Sequence, residues 1–208
     1  MRCEIVTWGQ VYRLSWRLAD RIRKSGFAPN LIVAVARGGY VPARLLCDFL
    51  DIYDLVSIRI AHYEAGSRRH PTARLASPLP LEVRGLNVLL VDDVTDTGDT
   101  LKLAIEHIQN HHPAQLKVAV LQHKQVSPFE PDFYAQKIIV WRWVVYPWAV
   151  MEDLSGFLAG MTPRPTTPDE AAHRLEAEYG IRAPRRILEA VLAKPSADAT
   201  QESARAAL

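Results

Sequence analysis

The thirteen residues Val88-Leu89-Leu90-Val91-Asp92-Asp93-Val94-Thr95-Asp96-Thr97-Gly98-Asp99-Thr100 constrain the fold of this chain more than any other stretch. Four consecutive apolar β-formers run without a break into two adjacent carboxylates. A turn with hydroxyls and a glycine follows, and residues 101–111 continue with helical spacing. An unbroken apolar run is the pattern of a strand buried on both faces, which belongs to parallel sheets covered by helices. The turn therefore lies at the carboxyl end of a parallel strand, the side on which open α/β sheets bind ligands.

The rest of the chain repeats this alternation. Thr7-Trp8-Gly9-Gln10 has capping-box spacing, and Val11, Leu14, Leu18 and Ile22 follow at helical intervals, predicting a helix over residues 8–25 that stops near Gly26. Residues 31–36 read as a short buried strand and Arg37-Gly38-Gly39 breaks the chain. Residues 41–50 make a second helix and 55–61 a further strand. Strands are also predicted over 117–122 and over the β-rich run 137–145, which carries Trp141 and Trp143. The expected fold class is α/β, with a doubly wound, mainly parallel five-stranded sheet flanked by helices.

Between residues 64 and 84 the composition shifts to Gly, Ser, Arg, His and Pro, a connection long enough to suggest a functional loop. Beyond residue 160, Thr162-Pro163-Arg164-Pro165-Thr166-Thr167-Pro168 is a stiff linker. A helix start at Thr167-Pro168-Asp169-Glu170, a stop at Gly180 and a second short helix over 184–193 follow it. The end from about residue 195 is Ala- and Ser-rich and expected to fray. The expected organisation is one domain over 1–160, then a linker, a two-helix appendage and a frayed terminus over 161–208.

Charge narrows the partners. Lys and Arg number 25 against 23 Asp and Glu. In the appendage Glu170, Glu176, Glu178 and Glu189 offset the arginines, so no nucleic-acid footprint is present and a small-molecule partner is expected. Cys3 and Cys47 lack CxxC spacing, and Cys47 reads as a packed thiol. The start lacks an apolar signal region and no stretch approaches the roughly 20 apolar residues that span a bilayer. No membrane partner and a cytoplasmic location are the expectation.

The opening motif also carries chemistry. A loop entering a helix offers unpaired N–H groups and the positive end of the dipole. Thr97 and Thr100 add hydroxyl donors, and Gly98 allows close backbone approach, which together suit a phosphate monoester. Asp92 and Asp93 repel phosphate. They suit a sugar diol, or a hard divalent cation held through ribose or water. Arg37 flanked by Gly38 and Gly39 at a strand end reads as a second anion site, or else as a simple tight turn.

Over about residues 5–160 these features resemble the type I phosphoribosyltransferases, which use 5-phosphoribosyl-1-pyrophosphate (PRPP) as ribose donor. The resemblance implies a pyrophosphate loop at Arg37, Gly38 and Gly39 with a cis peptide at Ala36–Arg37. It implies that PRPP is held by Asp92, Asp93, Asp96, Thr97, Gly98, Asp99 and Thr100, with Mg²⁺ near the acid pair. Asp96 would take the proton of the acceptor base, although capping the following helix explains an Asp there equally.

The likeness is nearest to the xanthine-guanine and hypoxanthine (6-oxopurine) enzymes of purine salvage. It implies that Lys124 donates to the 6-oxo group, Trp143 stacks on the ring and the backbone at Val144 reads the base edge, forming a small hood. Trp141 and Trp148 read as core packing. His62 and Tyr63 open a loop similar to the family's mobile flap, and Arg68, Arg69 and Arg74 either meet pyrophosphate there or are solvated surface charge. Where relatives have an acid after Pro-Trp this chain has Ala149, leaving Glu152 or Asp153 as substitutes. A homodimer is implied as well. Two other readings remain: a non-catalytic sensor of PRPP or nucleotides on the same fold, or a phosphoribosyltransferase acting on a non-purine nitrogen base.

Overall fold

The computed structural model of the protein describes residues 1–63 and 72–193. In chain order the elements are β1 (Cys3–Ile5), α1 (Trp8–Lys24), β2 (Leu31–Ala36), α2 (Tyr40–Leu50), β3 (Leu55–Tyr63), β4 (Thr72–Ser77) and β5 (Asn87–Thr95). They continue with α3 (Asp99–Gln109), β6 (Gln115–Lys124), β7 (Phe133–Ile138), β8 (Trp143–Val145), α4 (Val150–Ala159), α5 (Pro168–Tyr179) and α6 (Arg185–Leu192).

The described residues fall into two compact units, one of residues 8–141 and one joining residues 1–7 to those from 142 onward. The larger unit is built on a six-stranded sheet of order β4-β3-β2-β5-β6-β7, parallel except for β4. The apolar runs of β2, β5 and β6 form its centre because they are buried on both faces. Leu31, Val33, Val35, Val88, Leu90, Val118 and Val120 turn to the face covered by Leu101, Ala104 and Ile108 of α3. By the alternation of a strand, Ile32, Ala34, Leu89, Val91, Ala119 and Leu121 turn to the opposite face, where α1 and α2 pack.

The strand order fixes where ligands go. From β2 the chain crosses outward to β3, while from β5 it crosses the other way to β6, so the winding reverses between two hydrogen-bonded neighbours. Loops leaving the carboxyl ends of such neighbours diverge and leave a crevice. Those two loops are Arg37-Gly38-Gly39 and Asp96 to Gly98.

Six strands instead of five is a correction to the sequence reading, and β4 is the one missed. It lies inside the segment read as a long loop, because an edge strand with one solvated face carries exposed Arg74 and Ser77 rather than an apolar run. The run 137–145 is also not one strand. It holds the end of β7, a connector and β8, which leaves the main sheet and pairs in parallel with β1, Cys3 opposite Trp143 and Ile5 opposite Val145. Residues 64–71, with Arg68 and Arg69, lie outside the described residues, as does the terminus expected to fray.

In the smaller unit Val145, Leu154 and Leu158 share one core with Met161, Ala171, Leu175, Ile181, Leu188 and Val191. The helix α4 thus packs with the two helices of the expected appendage. The sequence reading put the change of domain at 160/161, while the compact units change over at 141/142. The ends of α5 follow their sequence signals. The Thr167 hydroxyl accepts from the Glu170 N–H at 3.3 Å, Pro168 opens the helix and Gly180 closes it at φ 72°.

Candidate active site

Both loops at the switch point are shaped by close approach. The peptide Ala36–Arg37 is cis, as the family likeness implied. A β-carbon on Gly38 would stand 2.7 Å from Asp93 Oδ1, so only glycine lets the acid at the end of β5 lie against the loop that ends β2. Gly39 N–H donates to Val35 O at 2.8 Å and leads into α2. Arg37, Gly38, Gly39 and Asp93 are in this way gathered at one place.

The second loop enters α3 through Gly98, whose φ of 82° lies in the left-handed region and whose β-carbon would run into Phe129. Gly98 O accepts the first helical bond from Lys102 N–H at 2.9 Å. The first N–H groups of a helix have no intrahelical acceptor and point out of its start. Here they face a cavity of about 170 Å³ lined by Asp92, Val94, Asp96, Thr97, Gly98 and Thr100 among others. Asp99 also belongs to this first turn, and its N–H leans on the Thr97 hydroxyl at 3.4 Å. A larger hollow of about 300 Å³ lies beside Arg44, Asp48 and Tyr53. It lies at the amino end of β3 and the end of α2, with no carboxyl end of a strand and no helix start to receive an anion.

Asp92 and Asp93 are adjacent but differ in surroundings. Asp92 is 8% exposed and accepts the Asp93 N–H at 2.9 Å. Burial first, and the neighbouring charge of Asp93 second, push its carboxyl well above the usual carboxylate range, against the pull of that hydrogen bond. A buried acid ready to ionise when a hydroxyl donor or cation arrives suits a diol site. Among the described residues no group of three or more His, Cys, Asp or Glu side chains could hold a metal ion.

Asp96 and Lys124 meet at the ends of β5 and β6. The Lys124 ammonium donates to Asp96 Oδ2 at 2.6 Å, with side-chain exposures of 4% and 38%. A buried ammonium needs such a partner. Asp96 Oδ1 accepts the Trp141 indole N–H at 3.2 Å, and Lys124 Nζ lies 4.7 Å from the centre of that ring. Trp141 is thus 39% exposed and in contact with both candidate-site residues, in place of the core packing expected of it. The available signal was its place in a connector just past the carboxyl end of β7, the ligand side of the sheet.

The remaining hood residues belong to the smaller unit. Trp143 opens β8 and is 38% exposed, while Val144 beside it is buried. The Trp143 indole donates to Asp153 Oδ1 at 3.1 Å. Burial raises the Asp153 carboxyl above its usual value against that hydrogen bond, with Glu152 adding to the rise. Ala149 precedes α4, and of the two acids left open by the sequence it is Asp153 that touches Trp143. His62 and Tyr63 close β3, so their backbone is strand rather than loop, and Arg74 is exposed on β4.

Comparisons with known proteins place the chain in a family. The model of the phosphoribosyl transferase domain matches residues 2–153, and the chain belongs to that family. A xanthine-guanine phosphoribosyltransferase of Nitratidesulfovibrio vulgaris is 31% identical over 147 residues, covering 69% of this chain and 82% of that protein. A purine phosphoribosyltransferase of Pyrococcus horikoshii superposes with a TM-score of 0.64 at 33% identity, over 71% of this chain and 95% of that one. A hypothetical protein of Neisseria gonorrhoeae with bound ppGpp gives a TM-score of 0.63 at 28% identity, over 71% and 89%.

Proposed function

We propose that the protein is a purine phosphoribosyltransferase that transfers the 5-phosphoribosyl group of PRPP to a 6-oxopurine, in purine salvage. The observation that carries the choice of acceptor is the contact between Lys124 and Asp96. It sets one donor and one carboxylate acceptor side by side at a strand end, complementary to a carbonyl oxygen next to a ring N–H. Adenine offers an amine where the ammonium needs an acceptor.

The start of α3, with Thr97, Gly98, Asp99 and Thr100, holds the 5′-phosphate through backbone N–H groups and hydroxyls. Asp92 and Asp93 accept from the ribose hydroxyls. Arg37 with Gly38 and Gly39 receives the pyrophosphate. The purine nitrogen forms a bond to C1′ while the C1′–O bond breaks, pyrophosphate leaves with the electron pair, and Asp96 accepts the proton released by the base. Trp143 offers an aromatic face for stacking, worth about 1–3 kcal/mol per base, and the backbone at Val144 reads the base edge. Holding both reactants in line supplies much of the acceleration.

Asp92 and Asp93, as hard oxygen donors at the switch-point crevice, would hold Mg²⁺. Bound there, it would supply positive charge to offset that of the departing pyrophosphate. No helix among the described residues is long and apolar enough to cross a membrane. A cytoplasmic enzyme acting as a homodimer, with no nucleic-acid partner, completes the proposal.

Incubation with PRPP, Mg²⁺ and each of xanthine, guanine, hypoxanthine, adenine, uracil and orotate tests it. The expected products are nucleoside monophosphates of the first three bases only. The neighbour with bound ppGpp favours a second reading, a nucleotide-binding regulator. That reading wins if PRPP binds and none of the six bases is converted.

A further inference from the structure

We infer that Trp141 is a positioning residue for the proton-accepting carboxylate, an inference that rests on the proposed transfer reaction. Asp96 carries two donors at once, Lys124 Nζ on Oδ2 at 2.6 Å and Trp141 Nε1 on Oδ1 at 3.2 Å. The Lys124 ammonium in turn lies 4.7 Å from the centre of the Trp141 ring. The three side chains therefore close a triangle in which each touches the other two.

Each corner constrains the others. The Lys124 side chain is 4% exposed, and its charge is held against both Asp96 and the indole face. Asp96 is 38% exposed, and with Lys124 as its only donor the carboxylate plane would be free to turn about its last torsion. The second donor fixes that plane. Each carboxylate oxygen has two lone-pair sites, so one donor on each leaves one site on each open toward the ligand. Trp141 is itself 39% exposed, and it meets Asp96 through its N–H and Lys124 through its ring. A proton acceptor held to one orientation needs no reorganisation when the base arrives.

Substitution separates this role from packing. Trp141→Phe keeps a ring over Lys124 and removes the N–H. In place of Trp141, β-(3-benzothienyl)alanine keeps the indole outline and replaces N–H by sulfur, which covers the case in which the Phe variant folds poorly. The expected result is a kcat lower by roughly tenfold to a hundredfold, in line with misplacement of a reacting group, with the KM for PRPP and the melting temperature little changed. The Trp141 ¹⁵N-indole resonance should also move in the Asp96→Asn variant.

A kcat equal to wild type in the benzothienyl variant overturns the inference. So does a parallel loss of kcat, PRPP affinity and melting temperature, which marks a structural residue. If the unmodified protein converts no base, the transfer reaction itself fails, and the positioning role falls with it. An active protein whose indole resonance ignores Asp96→Asn leaves the reaction standing and removes Trp141 from it.

Discussion

The two carboxylates that end β5 differ in how much the protein gives up to hold them. Asp92 is buried beside Asp93, and its raised carboxyl makes the folded state bind a proton that the unfolded chain releases. The stability contributed by protonated Asp92 is fully present below the ordinary value of 3.8 and is lost as pH rises through the raised folded value. Asp92→Asn should therefore match wild type near that lower limit and melt higher at neutral pH, while binding PRPP more weakly. Melting curves from acid to neutral pH check the first expectation and equilibrium titration with PRPP the second. Asp96 should behave differently. Asp96→Asn keeps an acceptor for Lys124 but cannot take a proton, so turnover should fall about 10²- to 10⁴-fold with a much smaller loss of PRPP affinity. Equal losses in both would remove its role as base. The places of Asp92, Asp93 and Asp96 at a strand end were legible from the apolar run before them, while the roles proposed for Asp96 and Lys124 rest on the family resemblance. The contacts of Trp141 and of Asp153 were not legible, the first because it joins segments 45 residues apart and the second because spacing alone does not choose between Glu152 and Asp153 as the partner of Trp143.

At the level of elements, α3 depends on Gly98, the residue that caps its start, in two ways. Gly98→Ala puts a side chain at φ 82° and into Phe129, so it should destabilise the protein by about 1–3 kcal/mol and weaken PRPP binding together. Urea unfolding and PRPP titration of the same variant read both effects. The same helix anchors the segment after β4, because His107 Nε2 accepts the N–H of buried Leu79 at 2.9 Å. Burial, and then His111, lower the His107 value below 6.5. Its contribution is present above that value and lost as pH falls through the folded one. His107→Leu should cost about 1–3 kcal/mol at neutral pH by leaving the amide unpaired, and the gap to wild type should narrow in acid. β4 itself was illegible for a physical reason. A half-solvated edge strand has neither the apolar run of β5 nor a long alternation, whereas α1, α2, α5 and the central strands carried full signals.

For the whole molecule, α4, α5 and α6 share a core with Val145, the residue two after Trp143. A chain ending at residue 160 would expose Leu154 and Leu158, and each Leu returned to water costs about 1.5–3 kcal/mol. That truncation should melt lower and bind a hydrophobic dye, and an unchanged melt would show that α4 is held independently of α5 and α6. Of the three helices here the sequence reading predicted α5 and α6 but neither α4 nor the core they share, which depends on contacts across a proline-rich linker. The central claim is transfer of the ribosyl group with release of pyrophosphate, and ³¹P NMR of PRPP, Mg²⁺, guanine and the protein in one tube reads it directly. The PRPP signals are expected to give way to equal amounts of a nucleoside 5′-monophosphate and pyrophosphate. PRPP that stays bound and unchanged, or that breaks to pyrophosphate without a nucleotide appearing, would contradict it.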